Sequence, residues 1–286
     1  MTMDLALRRR FFAEEIQAIA NLTSPALVDA LASVPREAFL RPGPWLIQGE
    51  GDFGRGPRQT PDADPRHVYH NVSIAIDPAR TLFNGAPNVV GTAIDALGLR
   101  PGARVLHVGC GLGYYTALIA RCVAPDGRVV AIEVDEALAA EARANLSEYP
   151  GVDVRQGDAS AMLDETFDAI LINAGVTHPL AHWLDGLAAG GRLVLPITYG
   201  FGPASPIGKG FIVALTKTAD PLWLDARVVT MVAIYSALGL RDAGANDRLG
   251  EALKRSMFPT FNRLRCDAHE ASSSCWLHGD GWCLSA

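Results

Sequence analysis

Long apolar stretches, cysteine and positive charge are all in short supply in this chain of 286 residues. No uninterrupted apolar run of about 18 or more residues occurs, so we expect no membrane-spanning helix and no membrane partner. Glu14 and Glu15 lie where the apolar segment of a signal peptide would be, which argues against secretion. The five cysteines are too few for a disulfide framework, so we expect a cytoplasmic location.

Basic residues are outnumbered, with 25 Lys and Arg against 31 Asp and Glu and a formal net charge of −6. An acidic chain is disfavoured as a nucleic-acid binder through bulk electrostatics, so no nucleic-acid partner is expected. Hydrophobic residues make up 49% of the chain, which is enough at this length to bury a core and excludes global disorder. A homodimer is left open.

From residue 88 the hydrophobic pattern alternates between strands and helices. This alternation predicts an α/β fold with a doubly wound, mostly parallel sheet of seven strands. The predicted strands cover 104–108, 129–133, 152–155, 167–173, 192–196, 210–217 and 227–234. The predicted helices of this region cover 88–97, 115–123, 136–148 and 180–187.

Additions flank this core on both sides. Residues 4–33 have helical periodicity, with an interruption at which Ser24 suits an N-cap. The stretch 41–66 is rich in Pro and Gly and is expected to be a lid or an ordered functional loop, and a short strand follows at 72–76. We therefore divide the chain into an N-terminal helical and lid region (1–87), a cofactor-binding core (88–235) and a C-terminal extension (236–286), which together form one elaborated domain.

The strongest motif is a glycine-rich turn between a predicted strand and a predicted helix. Gly109, Gly111 and Gly113 alternate with other residues, so the backbone can turn tightly and a ligand can approach closely. Glu133 ends the next strand, where a carboxylate can accept the hydroxyls of a ribose. Dinucleotide sites prefer G-x-G-x-x-G, and the G-x-G-x-G spacing found here favours S-adenosylmethionine instead.

Residues at the ends of neighbouring strands complete the predicted cofactor site. Asp158, in a Gly-Asp-Ala segment after the third strand, can accept the amino group of adenine, and Asn173 ends the fourth strand. The cofactor-binding residues that we predict are Gly109, Cys110, Gly111, Gly113, Tyr114, Glu133, Val134, Asp158, Ala159 and Asn173.

With these motifs the chain resembles the class I S-adenosylmethionine-dependent methyltransferases, and more specifically the protein-L-isoaspartate O-methyltransferase family. The segment 34–39, Val-Pro-Arg-Glu-Ala-Phe, matches a stretch typical of that family, and the resemblance extends over roughly residues 30–200. It implies a Rossmann-like methyltransferase that O-methylates a carboxylate on a peptide or protein.

One departure keeps other acceptors open. The family carries a Thr-Ile-Ser-type segment in its substrate site, whereas the comparable stretch 80–87 has Asn84 or Gly85 where the Ser belongs. An O- or N-methyltransferase acting on a small metabolite is therefore the alternative, and a cofactor-binding module without catalysis is a further one. A nicotinamide-dependent oxidoreductase is opposed by the glycine spacing.

Three residues are the candidates for catalysis. A carboxylate acceptor is ionised at neutral pH and needs no general base, whereas an alcohol, phenol or amine more often needs one. His178, after the fourth strand, is the base candidate, although it also suits a structural role beside Pro179. Asn84 either orients a ligand or forms a turn, and Tyr69 either lines the pocket or packs a loop; Ser73 and Thr81 carry less weight.

The C-terminal tail has two cysteines close together in Cys275 and Cys283, with His278 and Asp280 between them. Their spacing fits no familiar zinc signature because a second paired motif is missing, so we expect no metal. A disulfide between the two cysteines is not expected in a cytoplasmic chain. Trp276 and Trp282 are instead expected to anchor the tail on the core.

Overall fold

The structure is a computed structural model that describes residues 4–49, 52, 55–160, 165–200, 206–256 and 258–286. Its α-helices, numbered α1 to α7 in chain order, are Leu5–Ala20, Pro25–Ser33, Pro87–Ala96, Tyr114–Val123, Glu136–Asn145, Ala181–Asp185 and Ala243–Arg255. Its strands, numbered β1 to β14, are Leu46–Gln48, Arg58–Gln59, Ser73–Asp77, Leu82–Phe83, Arg104–Val108, Arg128–Glu133, Val152–Gln156, Phe167–Ile172, Leu187–Gly200, Ile207–Lys217, Trp223–Tyr235, Arg263–Arg265, Cys275–Gly279 and Trp282–Ser285.

The chain forms two compact units, the first built from residues 1–102 and 110–157 and the second from residues 103–109 and 158–286. These units do not coincide with the division predicted from the sequence, which stays a prediction. Among the described residues, none of the helices combines the length and the apolar character that crossing a membrane requires.

The first unit begins with the predicted helical pair. Ser24 caps α2 by accepting a hydrogen bond from the N–H of Leu27 at 3.3 Å, with Pro25 in the first turn. Buried side chains of both helices, including Phe12, Ile16 and Leu31, form part of the core. Later in this unit β6 and β7 pair in parallel, and α5 packs on both.

The Pro- and Gly-rich stretch is ordered where it is described; residues 50, 51, 53 and 54 lie outside the described part. Its strands β1 and β2 form a four-stranded antiparallel sheet with β3 and β4, in the order β2-β1-β3-β4. Trp45 is 8% exposed, and its N–H donates to Thr60 Oγ1 at 2.9 Å. These contacts favour the ordered loop over the mobile lid.

The second unit contains a mixed sheet of eight strands in the order β13-β14-β12-β11-β10-β9-β8-β5. β8 pairs in parallel with β5 and β9, and every later pair is antiparallel. The α/β class agrees with the prediction, whereas the count of seven mostly parallel strands needs correction, because β9, β10 and β11 pair antiparallel and the tail supplies β12, β13 and β14. The predicted helix 180–187 is also shorter, since β9 already begins at Leu187.

Candidate active site

The predicted glycine turn follows β5 in sequence and belongs to the first unit from Cys110 onward. The N–H of Cys110 donates to the Ile132 carbonyl at 3.2 Å, and the N–H of Gly113 donates to the Cys110 carbonyl at 3.0 Å. Gly113 has a φ of 96°, and a Cβ built on it would lie 2.7 Å from Leu146 Cδ1. Only glycine therefore allows the chain to pass this close to Leu146 at the start of α4.

Glu133 lies at the end of β6 and is 7% exposed. Its Oε2 accepts a hydrogen bond from the N–H of Gly111 at 2.8 Å, and its Oε1 accepts one from the N–H of Asp135 at 3.2 Å. An ionised carboxylate has about four acceptor positions, so two of them remain available for other donors. The structure thus brings the glycine turn and Glu133 together, as the sequence predicts.

Val134 extends this site with an apolar surface. Its side chain is 42% exposed. Its carbonyl accepts a hydrogen bond from Gln156 Nε2 at 3.2 Å, and the N–H of Gly157 donates to the Glu133 carbonyl at 2.9 Å. An apolar side chain beside a carboxylate suits a ligand with a flat ring next to a polyhydroxyl group.

Cys110 and Tyr114 are placed in the same turn, but their side chains are buried. Burial raises the pKa of the Cys110 thiol to about 12, which keeps it protonated. The Tyr114 ring is 3% exposed and meets the rings of Phe39 and Tyr115 edge to face, and the Arg36 guanidinium lies 5.6 Å from its centroid. These two side chains pack the core, so a role toward the cofactor is left to their backbone.

Two of the predicted cofactor residues meet in the second unit. The N–H of Asn173 donates to the Val108 carbonyl at 2.8 Å, and Asn173 Nδ2 donates to the Gly109 carbonyl at 3.5 Å. A Cβ at Gly109 would lie 3.3 Å from the Asn173 carbonyl oxygen. Asn173 therefore connects the end of β8 to Gly109, the last residue of the segment 103–109.

Asp158 and Ala159 also belong to the second unit. The hydroxyl and the N–H of Ser160 both donate to Asp158 Oδ1, and these hydrogen bonds lower the pKa of the exposed Asp158 carboxyl. The Ala159 carbonyl accepts a hydrogen bond from Trp183 Nε1 at 3.1 Å and lies 2.8 Å from His182 Nε2. Asp158 is thus an ionised acceptor on a firmly held turn.

His178 is half-buried in the second unit and stacks on Trp282, with ring centroids 5.7 Å apart and planes 9° from parallel. Its Nδ1 lies 2.9 Å from Thr177 Oγ1, which also accepts a hydrogen bond from the N–H of Asp242 at 3.0 Å. A Thr177 hydroxyl that donates to Nδ1 corresponds to the tautomer with the imidazole hydrogen on Nε2. Burial lowers the pKa of His178, so the ring is neutral at neutral pH.

The other catalytic candidates are engaged in local structure within the first unit. Asn84 Oδ1 accepts from the N–H of Ile74 at 2.9 Å, and the N–H of Asn84 donates to the Ile74 carbonyl at 3.0 Å. The buried Tyr69 hydroxyl accepts from the N–H of Arg36 at 3.1 Å and donates to the Glu37 carboxylate. These bonds favour structural roles for Asn84 and Tyr69 over the catalytic roles that the sequence suggested.

Sequence reasoning missed Arg241, which bridges elements of the second unit. Its guanidinium donates to the Gly175 carbonyl at 3.0 Å, to Thr198 Oγ1 at 2.9 Å and to Asn246 Oδ1 at 2.8 Å. Gly175 lies in the same loop as His178, so Arg241 helps to hold that loop. No local pattern marks this arginine, because two of its partners, Gly175 and Thr198, are distant in sequence.

This chain is similar in sequence to known proteins. The family model described as "Protein-L-isoaspartate(D-aspartate) O-methyltransferase (PCMT)" matches residues 58–205. A protein-L-isoaspartate O-methyltransferase of Methylorubrum extorquens is 38% identical over 235 residues, which cover 80% of this chain and 89% of that protein. The enzyme of the same name from Aeropyrum pernix is 34% identical over 189 residues, or 64% of each chain.

Two solved structures share the fold. One described as a protein-L-isoaspartate O-methyltransferase has a TM-score of 0.63 at 19% identity and covers 88% of this chain and 71% of its own. A Plasmodium falciparum protein described as a putative enzyme of this kind, in complex with S-adenosyl-L-homocysteine, has a TM-score of 0.59 at 15% identity and covers 80% of this chain and 97% of its own. The chain therefore belongs to the protein-L-isoaspartate(D-aspartate) O-methyltransferase family, with the α/β fold of class I methyltransferases, and is an S-adenosylmethionine-dependent methyltransferase.

Proposed function

We propose that this chain methylates a carboxyl group of a peptide or protein, with an isoaspartyl side chain as the first acceptor to test. The printed names of the relatives describe this activity for those proteins. The alternative, methylation of a small metabolite, is not favoured by these matches, and neither is a module without catalysis. The observation that carries the choice of acceptor is the hydrogen bonding of His178.

The first unit fits the methyl donor by its acceptor groups. At Gly111 and Gly113 the missing Cβ atoms let Ile76 and Leu146 pack against the turn, and Glu133 keeps acceptor capacity for ribose hydroxyls. Val134 offers its exposed side chain to the adenine ring. When bound, S-adenosylmethionine supplies an electrophilic methyl group on a sulfonium leaving group. The roles of Asp158, Ala159 and Asn173 toward the same ligand stay predictions.

His178 suits a carboxylate acceptor better than an alcohol or an amine. We infer that the Thr177 hydroxyl donates to Nδ1, so that the neutral ring carries its hydrogen on Nε2 and is a hydrogen-bond donor at that edge. A donor holds and orients an ionised carboxylate, which already carries the electron pair needed to attack a methyl group. An alcohol or amine would need a ring with a free lone pair on that edge.

The experiment compares acceptors with methyl-labelled S-adenosylmethionine. An isoaspartyl peptide, its aspartyl counterpart and a mixture of small phenols and amines are offered to the full chain. We expect label in the isoaspartyl peptide, released as methanol in mild base because the product is an ester. Label found only in base-stable products of the small acceptors would refute the proposal while leaving the methyltransferase assignment intact.

The remaining expectations about partners are part of the same proposal. An acidic chain acting on peptide carboxylates needs no nucleic acid, and a cytoplasmic location suits a protein in which none of the five cysteines forms a disulfide. A homodimer remains a prediction. Its test is the solution mass of the full chain by light scattering.

A further inference from the structure

Four side chains of the C-terminal tail converge at one point of the second unit. His269, Cys275, His278 and Cys283 each offer one nitrogen or sulfur atom, and these four atoms all lie within 4.8 Å of one another. Cys283 is fully buried and the other three are half-buried. We propose that they bind one zinc ion in a tetrahedral site that fastens the tail. This inference does not depend on the proposed acceptor.

The register of the terminal hairpin explains why three of these residues share a face. His278 pairs directly with Cys283 across β13 and β14, and Cys275 pairs with Ser285. Cys283 and Ser285 are two residues apart on one strand and so point to the same side, and cross-strand partners point to that side too. An irregularity between Cys275 and Leu277 supplies the extra residue that brings Cys275 onto this face.

The distances match a metal site. Ligand bonds of about 2.0–2.3 Å to a tetrahedral zinc ion place neighbouring donor atoms about 3.3–3.8 Å apart. Cys275 Sγ lies 3.7 Å from His269 Nε2, and the rings of His269 and His278 meet edge to face with centroids 4.8 Å apart. Small shifts of these side chains therefore suffice to close the tetrahedron.

Groups around the cluster orient it as the outer groups of metal sites do. His269 Nδ1 lies 2.8 Å from the Asp267 carbonyl, so it donates there and leaves the Nε2 lone pair for the metal. The N–H and the hydroxyl of Ser272 lie 3.4 and 3.5 Å from Cys275 Sγ, where they stabilise a thiolate. His278 Nδ1 is buried and has no hydrogen-bond partner among the described residues.

The donor set selects the metal. Two thiolates and two imidazoles are the ligands of structural zinc sites, and four protein ligands leave no open position for substrate. The proposed role of the metal is therefore structural. Trp282, which precedes the ligand Cys283, stacks on His178. A hairpin held by the metal would therefore also keep the Trp282 ring against one face of the His178 ring.

The proposal departs from the expectation of no metal drawn from the sequence. That expectation rested on the missing partner for the pair Cys275 and Cys283, and it did not include His269, which lies before the hairpin. The spacing His-x5-Cys-x2-His-x4-Cys becomes a ligand set only once the bulge in β13 is known.

The test measures metal in the full chain. Protein produced in zinc-supplemented medium is desalted, and zinc is quantified by mass spectrometry; we expect about one zinc ion per chain. Cys275→Ser and His269→Gln should each lower the bound zinc about tenfold or more after dialysis against a weak chelator. Cys266→Ser is the matched control, because its thiol is not one of the four donors, and it should retain zinc.

A second measurement needs no variant and so does not depend on how the variants fold. Cobalt(II) added to the zinc-depleted wild-type chain should produce the visible absorption of tetrahedral, thiolate-bound cobalt. Any one of three results would overturn the proposal. The first is wild-type protein with only traces of zinc and no cobalt spectrum, and the second is a peptide map showing Cys275 and Cys283 joined in a disulfide. The third is zinc retained in full by both ligand variants.

Discussion

Glu133 carries a buried carboxylate that receives two backbone N–H groups and keeps acceptor capacity. Changing Glu133→Gln removes the charge and turns an amide NH2 toward one of these donors. We expect the dissociation constant for S-adenosylhomocysteine to rise about 10- to 100-fold, as for a lost charged hydrogen bond. Equilibrium dialysis with labelled ligand measures it. Asp153→Asn on β7, an exposed acid, is the control, and equal affinities of both variants would contradict the assignment.

Gly113 tests whether the turn depends on the absence of a side chain. Gly113→Ala forces a Cβ to within 2.7 Å of Leu146 Cδ1 at a φ of 96°. Gly102→Ala is matched to it, because Gly102 has a φ of 82° with nothing within 4 Å of the built Cβ. Both variants incur the cost of positive φ, about 1 kcal/mol, and the first adds the clash, about 1–3 kcal/mol. Urea denaturation should show a larger loss for Gly113→Ala; equal losses would count against the close approach.

His107 predicts a pH dependence of stability. Complete burial lowers its pKa from 6.5 to about 4. Above pH 6.5 both the folded and the unfolded chain carry a neutral ring, so nothing is lost there. As the pH falls from 6.5 toward 4 the unfolded chain takes up the proton first, and the free energy of unfolding should drop by up to about 3 kcal/mol. The free energy of unfolding, measured by denaturant titration at several pH values, should fall less with decreasing pH for His107→Gln than for the wild type. An equal fall for both proteins would contradict the prediction.

At the scale of elements, Arg36 joins the segment after α2 to the backbone before β3. It is fully buried, and its guanidinium donates to the carbonyls of Val68 at 2.7 Å, His70 at 3.1 Å and Val72 at 2.8 Å. The segment 34–39, which carries the resemblance to the family, thus has a packing role.

Arg36→Lys should therefore destabilise the fold strongly. A single ammonium group cannot reach all three carbonyls, so we expect the free energy of unfolding to fall by about 2–4 kcal/mol. Arg121→Lys is the control, since Arg121 is exposed and its guanidinium lies on the surface, 5.8 Å from the centre of the Tyr149 ring. Guanidinium denaturation measures both, and a similar small effect of the two variants would refute the role of Arg36.

Strongly apolar elements were predictable from the sequence and weakly patterned ones were not. The runs at β5, β6 and β8 are buried along most of their length, and their predicted bounds differ from the observed ones by a residue or less. α7 escaped prediction because it buries mainly small residues, Ala245, Gly250 and Ala252, beside Leu249. The predicted helix 136–148 ends earlier, at Asn145.

At the scale of the whole molecule, the proximity of the glycine turn and Glu133 was predictable because strand, turn and acid follow one another closely in sequence. The contacts that hold the loop of His178 were not, because they join distant residues, as Arg241 and Gly175 do. The cluster around His269 was missed for a different reason, because its members, although close in sequence, share one face only through the irregularity in β13. The family match spans residues 58–205, and the tail with α7 and β12 to β14 lies outside it.

The central claim is that the full chain binds the methyl-donor ligand at the glycine turn and Glu133. Calorimetric titration of the wild-type chain with S-adenosylhomocysteine tests it most directly. The account predicts saturable binding of about one ligand per chain, with no comparable heat for a nicotinamide dinucleotide. The absence of binding at millimolar S-adenosylhomocysteine, from a chain shown to be folded by its cooperative unfolding, would contradict it.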